Sequence, residues 1–97
     1  MRFNSRRPNP VFSDEYRALV SVLTRARNSA GLSQRALAGR LGRSASHIQR
    51  IECGQRRVDL LEFCLMARAL QAEPTTLLGE VLTAIGEEIE AAKRGHA

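Results

Sequence analysis

The sequence predicts an all-α chain of five helices, and three observations carry that reading. Apolar residues recur at spacings of three and four through most of the chain. The periodic stretches open on Ser13, Ser33, Ser44, Asp59 or Pro74, and the first three close on Gly31, Gly42 and Gly54. No strand-like alternation bounded by turn residues interrupts them. Composition agrees: with 97 residues, 43% of them hydrophobic and only 4% aromatic, the chain has one small core to build, mainly from Leu, Ile, Val and Ala.

Residues 1–12 carry Arg2, Arg6 and Arg7 followed by Pro8 and Pro10 without periodicity, which predicts an extended basic arm. Ser13 followed by Asp14 and Glu15 reads as a cap with acids in the first turn. Tyr16, Leu19, Val20, Leu23, Ala26 and Ala30 then mark one face of a first helix. Ser33 caps a short second helix with Leu37, Ala38 and Leu41 inward. Ser44 caps a third with Ile48 and Ile51 inward. Two short helices joined through Gly42 follow the local grammar of a helix-turn-helix. Asp59 opens a fourth helix whose stripe is Leu60, Phe63, Cys64, Ala67 and Leu70. Pro74 opens a fifth, which continues through Leu78, Leu82, Ile85, Ile89 and Ala92. The organisation expected is an arm at 1–12, a domain at 13–82, and an extension of the last helix at 83–97.

The net charge of +5 hides an asymmetry. Residues 1–57 hold twelve arginines against Asp14, Glu15 and Glu52, a net of +9, whereas residues 58–97 carry a net of −4. One face for a polyanion and another that avoids it is the physical reading. Fourteen of the fifteen basic residues are Arg. That fits a G+C-rich coding bias as well as the use of planar guanidinium forks on phosphates and guanine edges.

Several classes are disfavoured. No run approaches the eighteen apolar residues of a membrane span, and the N-terminus lacks the apolar stretch of a signal peptide. Cys53 and Cys64 have no metal or redox spacing, and His47 and His96 are isolated, so neither a metal nor another cofactor is expected. Two free thiols suit a cytoplasmic protein. Without a phosphate loop, a paired His–Glu motif or a nucleophile elbow, the chain does not read as an enzyme.

The run Gly31-Leu32-Ser33-Gln34, with Leu37-Ala38, Leu41-Gly42, Ser44, Ile48, Ile51-Glu52 and Gly54, resembles the helix-turn-helix domain of lambda-repressor-like (Cro/repressor, or XRE-type) regulators. Ala67-Arg68-Ala69-Leu70 and Glu73-Pro74 match that family's fourth and fifth helices. The resemblance spans roughly residues 16–82. The arm and the length of the fifth helix go beyond the minimal domain. It implies sequence-specific binding to double-stranded DNA, usually by a homodimer, with the outward face of the third helix in the major groove.

On a helical wheel, Ile48 and Ile51 define the inner face of the third helix, so Ser46, Gln49, Arg50 and Cys53 point away. With the helix N-terminus nearest the bases, Ser44, Ala45, Ser46, Gln49 and Arg50 are the expected readers. Arg50 suits a guanine, Gln49 an adenine and Ala45 a thymine methyl. A merely solvated face is the alternative, disfavoured because the flanking motif selects this helix. Arg43, Arg56 and Arg57, in the loops on either side, are expected phosphate clamps rather than simple solubility groups. Gln34, at the start of the second helix, is assigned to phosphate positioning. His47 reads equally as a phosphate contact or an ordinary surface side chain. Cys53 is expected to be inert.

The resemblance also implies that Glu52 pairs with Arg27 in a largely buried bridge, which removes Arg27 from the DNA contacts. The arm reads either as a minor-groove contact or as a leader. In the last helix, Leu77, Leu78 and Val81 are expected to pack on the domain. Leu82, Ile85 and Ile89 then form a dimerisation seam of period 3.5, or else a stripe folded back on the same chain. Acids at Glu80, Glu87, Glu88 and Glu90 would flank that seam. Two rival functions remain. One is an antitoxin that binds its own operator and a toxin; the other is an interaction module without DNA binding, against which Gln49, Arg50 and the loop arginines argue. RNA polymerase is a further candidate partner of a regulator.

Overall fold

The computed structural model describes residues 13–95. They form five helices, with no strand among them: α1 (Asp14–Ser29), α2 (Gln34–Leu41), α3 (Ala45–Glu52), α4 (Leu60–Ala69) and α5 (Pro74–Gly95). The arm at 1–12 and the last two residues of the 83–97 segment lie outside the described residues.

The caps are those the side chains dictate. Ser13 accepts from the Tyr16 amide, Ser33 from Ala36, Ser44 from His47 and Asp59 from Glu62. Each satisfies one of the amides that a helix N-terminus leaves without an intrahelical partner. Helix ends share a second device. After α1, α2, α3 and α4 the chain closes with paired 6→1 and 5→2 backbone bonds, for example Arg43 N–H to Ala38 O and Gly42 N–H to Gly39 O. That closure needs one residue in the left-handed region. Gly31, Gly42 and Gly54 supply it after the first three helices, and Gln71, with φ of 58°, supplies it after α4.

The centre of the molecule is filled by Val22, Leu23, Leu37, Ile48, Ile51 and Met66, each essentially inaccessible to solvent. Phe63, Ala67, Leu70, Leu77 and Val81 extend this cluster from α4 and α5. The fourth-helix stripe keeps Phe63, Ala67 and Leu70 and differs from the expected one at two positions. Leu60, the first residue of α4, is 72% exposed, and Met66 is fully buried. Ala30 is exposed as the C-cap of α1, and Val22 takes an inward place that the simple spacing did not mark.

α5 runs 22 residues, about 33 Å at the usual helical rise, and lies mainly along α1. Ala84 and Ile85 rest against the core, while Leu78, Leu82 and Ile89 are 40%, 61% and 41% exposed. Leu78 is therefore only partly packed on its own domain. Ile85, expected either in a seam or in a stripe folded back on its own domain, is half-buried with one side against the core. Beneath this frame, Arg40 ties α2 to the end of α4 by donating to Ala69 O at 2.8 Å.

Candidate nucleic-acid interface

α3 is fixed from behind. Ile48 and Ile51 are completely buried, and this anchors the helix so that Ser46, Gln49 and Arg50 stand on its exposed side. Ala45 is half-buried beside them. At the helix start the Ser44 and Ser46 hydroxyls lie 3.1 Å apart, with Ser44 also capping the His47 amide. The five residues expected to read bases thus occupy one end and one face of a single helix. Cys53, expected to point away, is half-buried, its thiol 3.9 Å from Arg50 O.

The three arginines expected to hold phosphates flank that face. Arg43 is exposed in the turn before α3, and Arg56 and Arg57 are exposed in the loop after it. Among the described residues none of these three, nor Arg50, takes part in an ion pair, so their charge faces solvent uncompensated. The loop is ordered by backbone bonds, since Arg50 O accepts from the amides of Gln55 at 2.8 Å and Arg56 at 3.2 Å.

Arg27 and Glu52 meet in a two-pronged pair: Arg27 Nε donates to one carboxylate oxygen at 2.7 Å and Nη2 to the other at 2.9 Å. Arg27 Nη1 also reaches Leu32 O at 2.8 Å, and Gln34 donates to Glu52 Oε1 at 2.9 Å. The side chains are 11% and 7% exposed. The Glu52 hydrogen bonds raise Arg27 above the ordinary guanidinium value, against the opposing effect of burial. The group thus joins α1, α2 and α3. Gln34, assigned to phosphate positioning, has its side-chain N–H directed to Glu52; what remains at the surface is its place at the N-terminus of α2.

His47 requires a correction. It is not beside the reading face but buried at 8% exposure, with Nε2 2.6 Å from Glu62 Oε2 on α4. An imidazole turned inward and engaged by a carboxylate is not placed to meet a DNA phosphate. Its partner left no signal in the sequence, since an acid three residues after the Asp59 cap suggests a bond back to the cap rather than to a histidine on another helix.

Tyr16 was also read only as a core position. Its hydroxyl accepts from Val58 N–H at 2.9 Å and donates to Arg56 O at 3.4 Å. The guanidinium carbon of Arg57 sits 5.0 Å from the ring centroid. No periodicity could reveal these contacts, which span some forty residues of chain.

The described residues contain no His, Cys, Asp and Glu cluster able to hold a metal ion, both cysteines are free, and no helix is long and apolar enough to cross a membrane. A compact helical pair with its second helix exposed between uncompensated arginines defines the helix-turn-helix class of DNA-binding domains.

Comparison with known proteins gives the family. Residues 18–79 match the model of a helix-turn-helix domain. An XRE-family like protein from Pseudomonas syringae pv. tomato is 38% identical, over 71% of this chain and 84% of that one, with a TM-score of 0.67. The clp gene regulator ClgR from C. glutamicum is 25% identical, over 70% and 88%, with a TM-score of 0.64. The restriction-modification controller protein C.AhdI from Aeromonas hydrophila is 37% identical, over 62% and 91%, with a TM-score of 0.57. The comparison with curated proteins gives no significant match. The chain belongs to the XRE family of helix-turn-helix DNA-binding proteins.

Proposed function

We propose that this protein is a transcriptional regulator that binds a specific double-stranded DNA sequence as a homodimer, with α3 of each subunit in the major groove. The observation that carries the reading is the exposed face of Ser46, Gln49 and Arg50, held by buried Ile48 and Ile51 and bordered by Arg43, Arg56 and Arg57. Arg50 would take a guanine and Gln49 an adenine, while Ser44, Ala45 and Ser46 contact the neighbouring step. The loop arginines and the α2 N-terminus at Gln34 would hold phosphates, giving affinity and salt dependence without sequence choice. Two of the similar structures carry the names of a gene regulator and of a restriction–modification controller, which supports a regulatory role.

A second copy of the chain is the partner we assign to the outward stripe of α5. Leu82 and Ile89 remain exposed there, with Ile85 between them bridging to the core. A two-fold pair would place the reading helices in successive major grooves about 34 Å apart, on an inverted repeat. The acids of α5 would then stand at the partner end, away from DNA.

Selection of bound duplexes from a random pool, followed by footprinting at two salt concentrations, tests the reading. An enriched inverted repeat with a salt-dependent footprint supports it; an unprotected duplex with no salt dependence refutes it. Sedimentation of the free protein tests the pairing. A monomer whose Leu82 and Ile89 are covered only when a toxin is added would instead favour the antitoxin reading.

A further inference from the structure

Tyr16 belongs to the first turn of α1, yet its contacts lie in the loop between α3 and α4. The ring is buried at 8% exposure and forms, with Val20 and the flanking Leu19, a small apolar cluster apart from the main core. Its hydroxyl grips the loop backbone on both sides of Arg57, through Arg56 O and Val58 N–H, and its ring carries the Arg57 guanidinium. A buried tyrosine hydroxyl ordinarily finds some partner, so the two hydrogen bonds alone would be unremarkable. The position of Arg57 adds something further. A guanidinium held over a ring face is attracted by the ring's electron-rich surface, and exposed Arg57 makes no ion pair among the described residues, so its N–H groups remain available to a phosphate.

We propose that Tyr16 is a positioning residue for the DNA backbone contact: it fixes residues 56–58 and pre-orients Arg57 so that Arg56 and Arg57 meet phosphates without first having to order the loop. This rests on the DNA-binding reading and adds a residue that touches no DNA itself. The physical basis is preorganisation, because a loop already held in its bound shape loses less freedom on association.

The test uses the full chain and a labelled mixed-sequence duplex of about 30 base pairs, titrated across about 50 to 200 mM KCl, since backbone contacts do not require the operator. Tyr16→Phe retains the ring and its packing while removing both hydroxyl bonds. Thermal unfolding confirms that it remains folded at the assay temperature. Affinity is expected to fall about three- to tenfold, the salt slope to shrink by about one phosphate contact, or about 0.9, and the Val58 amide to exchange faster. Arg57→Leu, which removes the cation–ring contact without touching a buried group, should lower the slope similarly. Adding Tyr16→Phe to an Arg56→Ala/Arg57→Ala background should produce no further loss, because the tyrosine acts through those arginines. A Tyr16→Phe variant with the wild-type slope, or a full additive loss in the triple variant, overturns the inference while leaving DNA binding intact. Absence of salt-dependent binding by the wild type overturns the DNA reading and this inference with it. Unchanged Val58 exchange in Tyr16→Phe contradicts the loop restraint independently of DNA.

Discussion

His47 on α3 and Glu62 on α4 are joined side chain to side chain at 2.6 Å, each close to 10% exposed. The contact couples α3 to the element that follows the basic loop. His47 is therefore a structural residue of the interface rather than one of its contacts. Replacing His47 with Ala leaves the Glu62 carboxylate without its partner in a largely buried place and should cost about 1–3 kcal/mol of stability. The salt slope of DNA binding should not change. Arg43→Ala should behave in the opposite way, leaving the denaturation midpoint alone and lowering the slope by about 0.9.

The bridge between Arg27 and Glu52 should be the most sensitive polar site in the domain. Glu52→Ala leaves a buried guanidinium unpaired, removes the acceptor of Gln34, and is expected to cost about 3–5 kcal/mol. Replacing both Arg27 and Glu52 by leucine should recover much of that loss, since no charge is then stranded. Urea midpoints of the single and double variants check the pair. A single variant as stable as wild type would remove the bridge from the account.

Much of this was legible in the sequence because side chains announce their own local roles. Serine and aspartate caps marked four helix starts, and glycines marked three ends. The spacing of Ile48 and Ile51 defined the face that carries Gln49 and Arg50. The misses share a cause, which is that they depend on how helices meet. Leu60 lies outside the core and Met66 within it, because spacing along one helix does not say how far its neighbours extend to cover it. Ile85 suited either a seam or a stripe folded back on its own chain, because a period on one helix does not say which neighbour covers it. The partners of His47 and Tyr16, Glu62 and the 56–58 loop, are distant in the chain, so the inward turn of His47 left no local signal and the loop contacts of Tyr16 add to a core position that the spacing did mark. Gln71 left no trace, because a left-handed helix end is readable only when glycine occupies it.

That last position gives a stability prediction of unusual sign. Gln71 adopts φ of 58°, where a side chain is disfavoured. Gln71→Gly should therefore raise stability, by about 0.5–1 kcal/mol, even though it removes side-chain atoms. Gly42→Ala should lower it by about 1 kcal/mol through backbone strain alone, because a methyl there would meet no atom within 4 Å. Thermal melts of the two variants should move in opposite directions.

Glu73 makes stability dependent on acid pH. It accepts from the Thr75 hydroxyl and from the amides of Thr75 and Thr76, which hold its carboxyl below the ordinary range. A lowered folded value means that the ionised form stabilises the fold. That contribution is complete above the ordinary carboxylate range and disappears as pH falls through the lowered value. Glu73→Gln should thus be less stable than wild type at neutral pH, and the two should converge on acidification. Denaturation midpoints measured from about pH 6 down to about pH 2 would show the convergence; a constant gap would contradict it.

The central claim is that the exposed face of α3 reads DNA sequence, and binding-site selection from random duplexes measures it most directly. Wild type should enrich an inverted repeat whose half-sites are centred about one helical turn apart. Arg50→Ala should lose the preference for one base pair in each half-site, at a cost of about 1–3 kcal/mol, while keeping the rest of the motif. An Arg50→Ala variant that enriches the wild-type motif unchanged, or a wild type that enriches none, would contradict the assignment of this face.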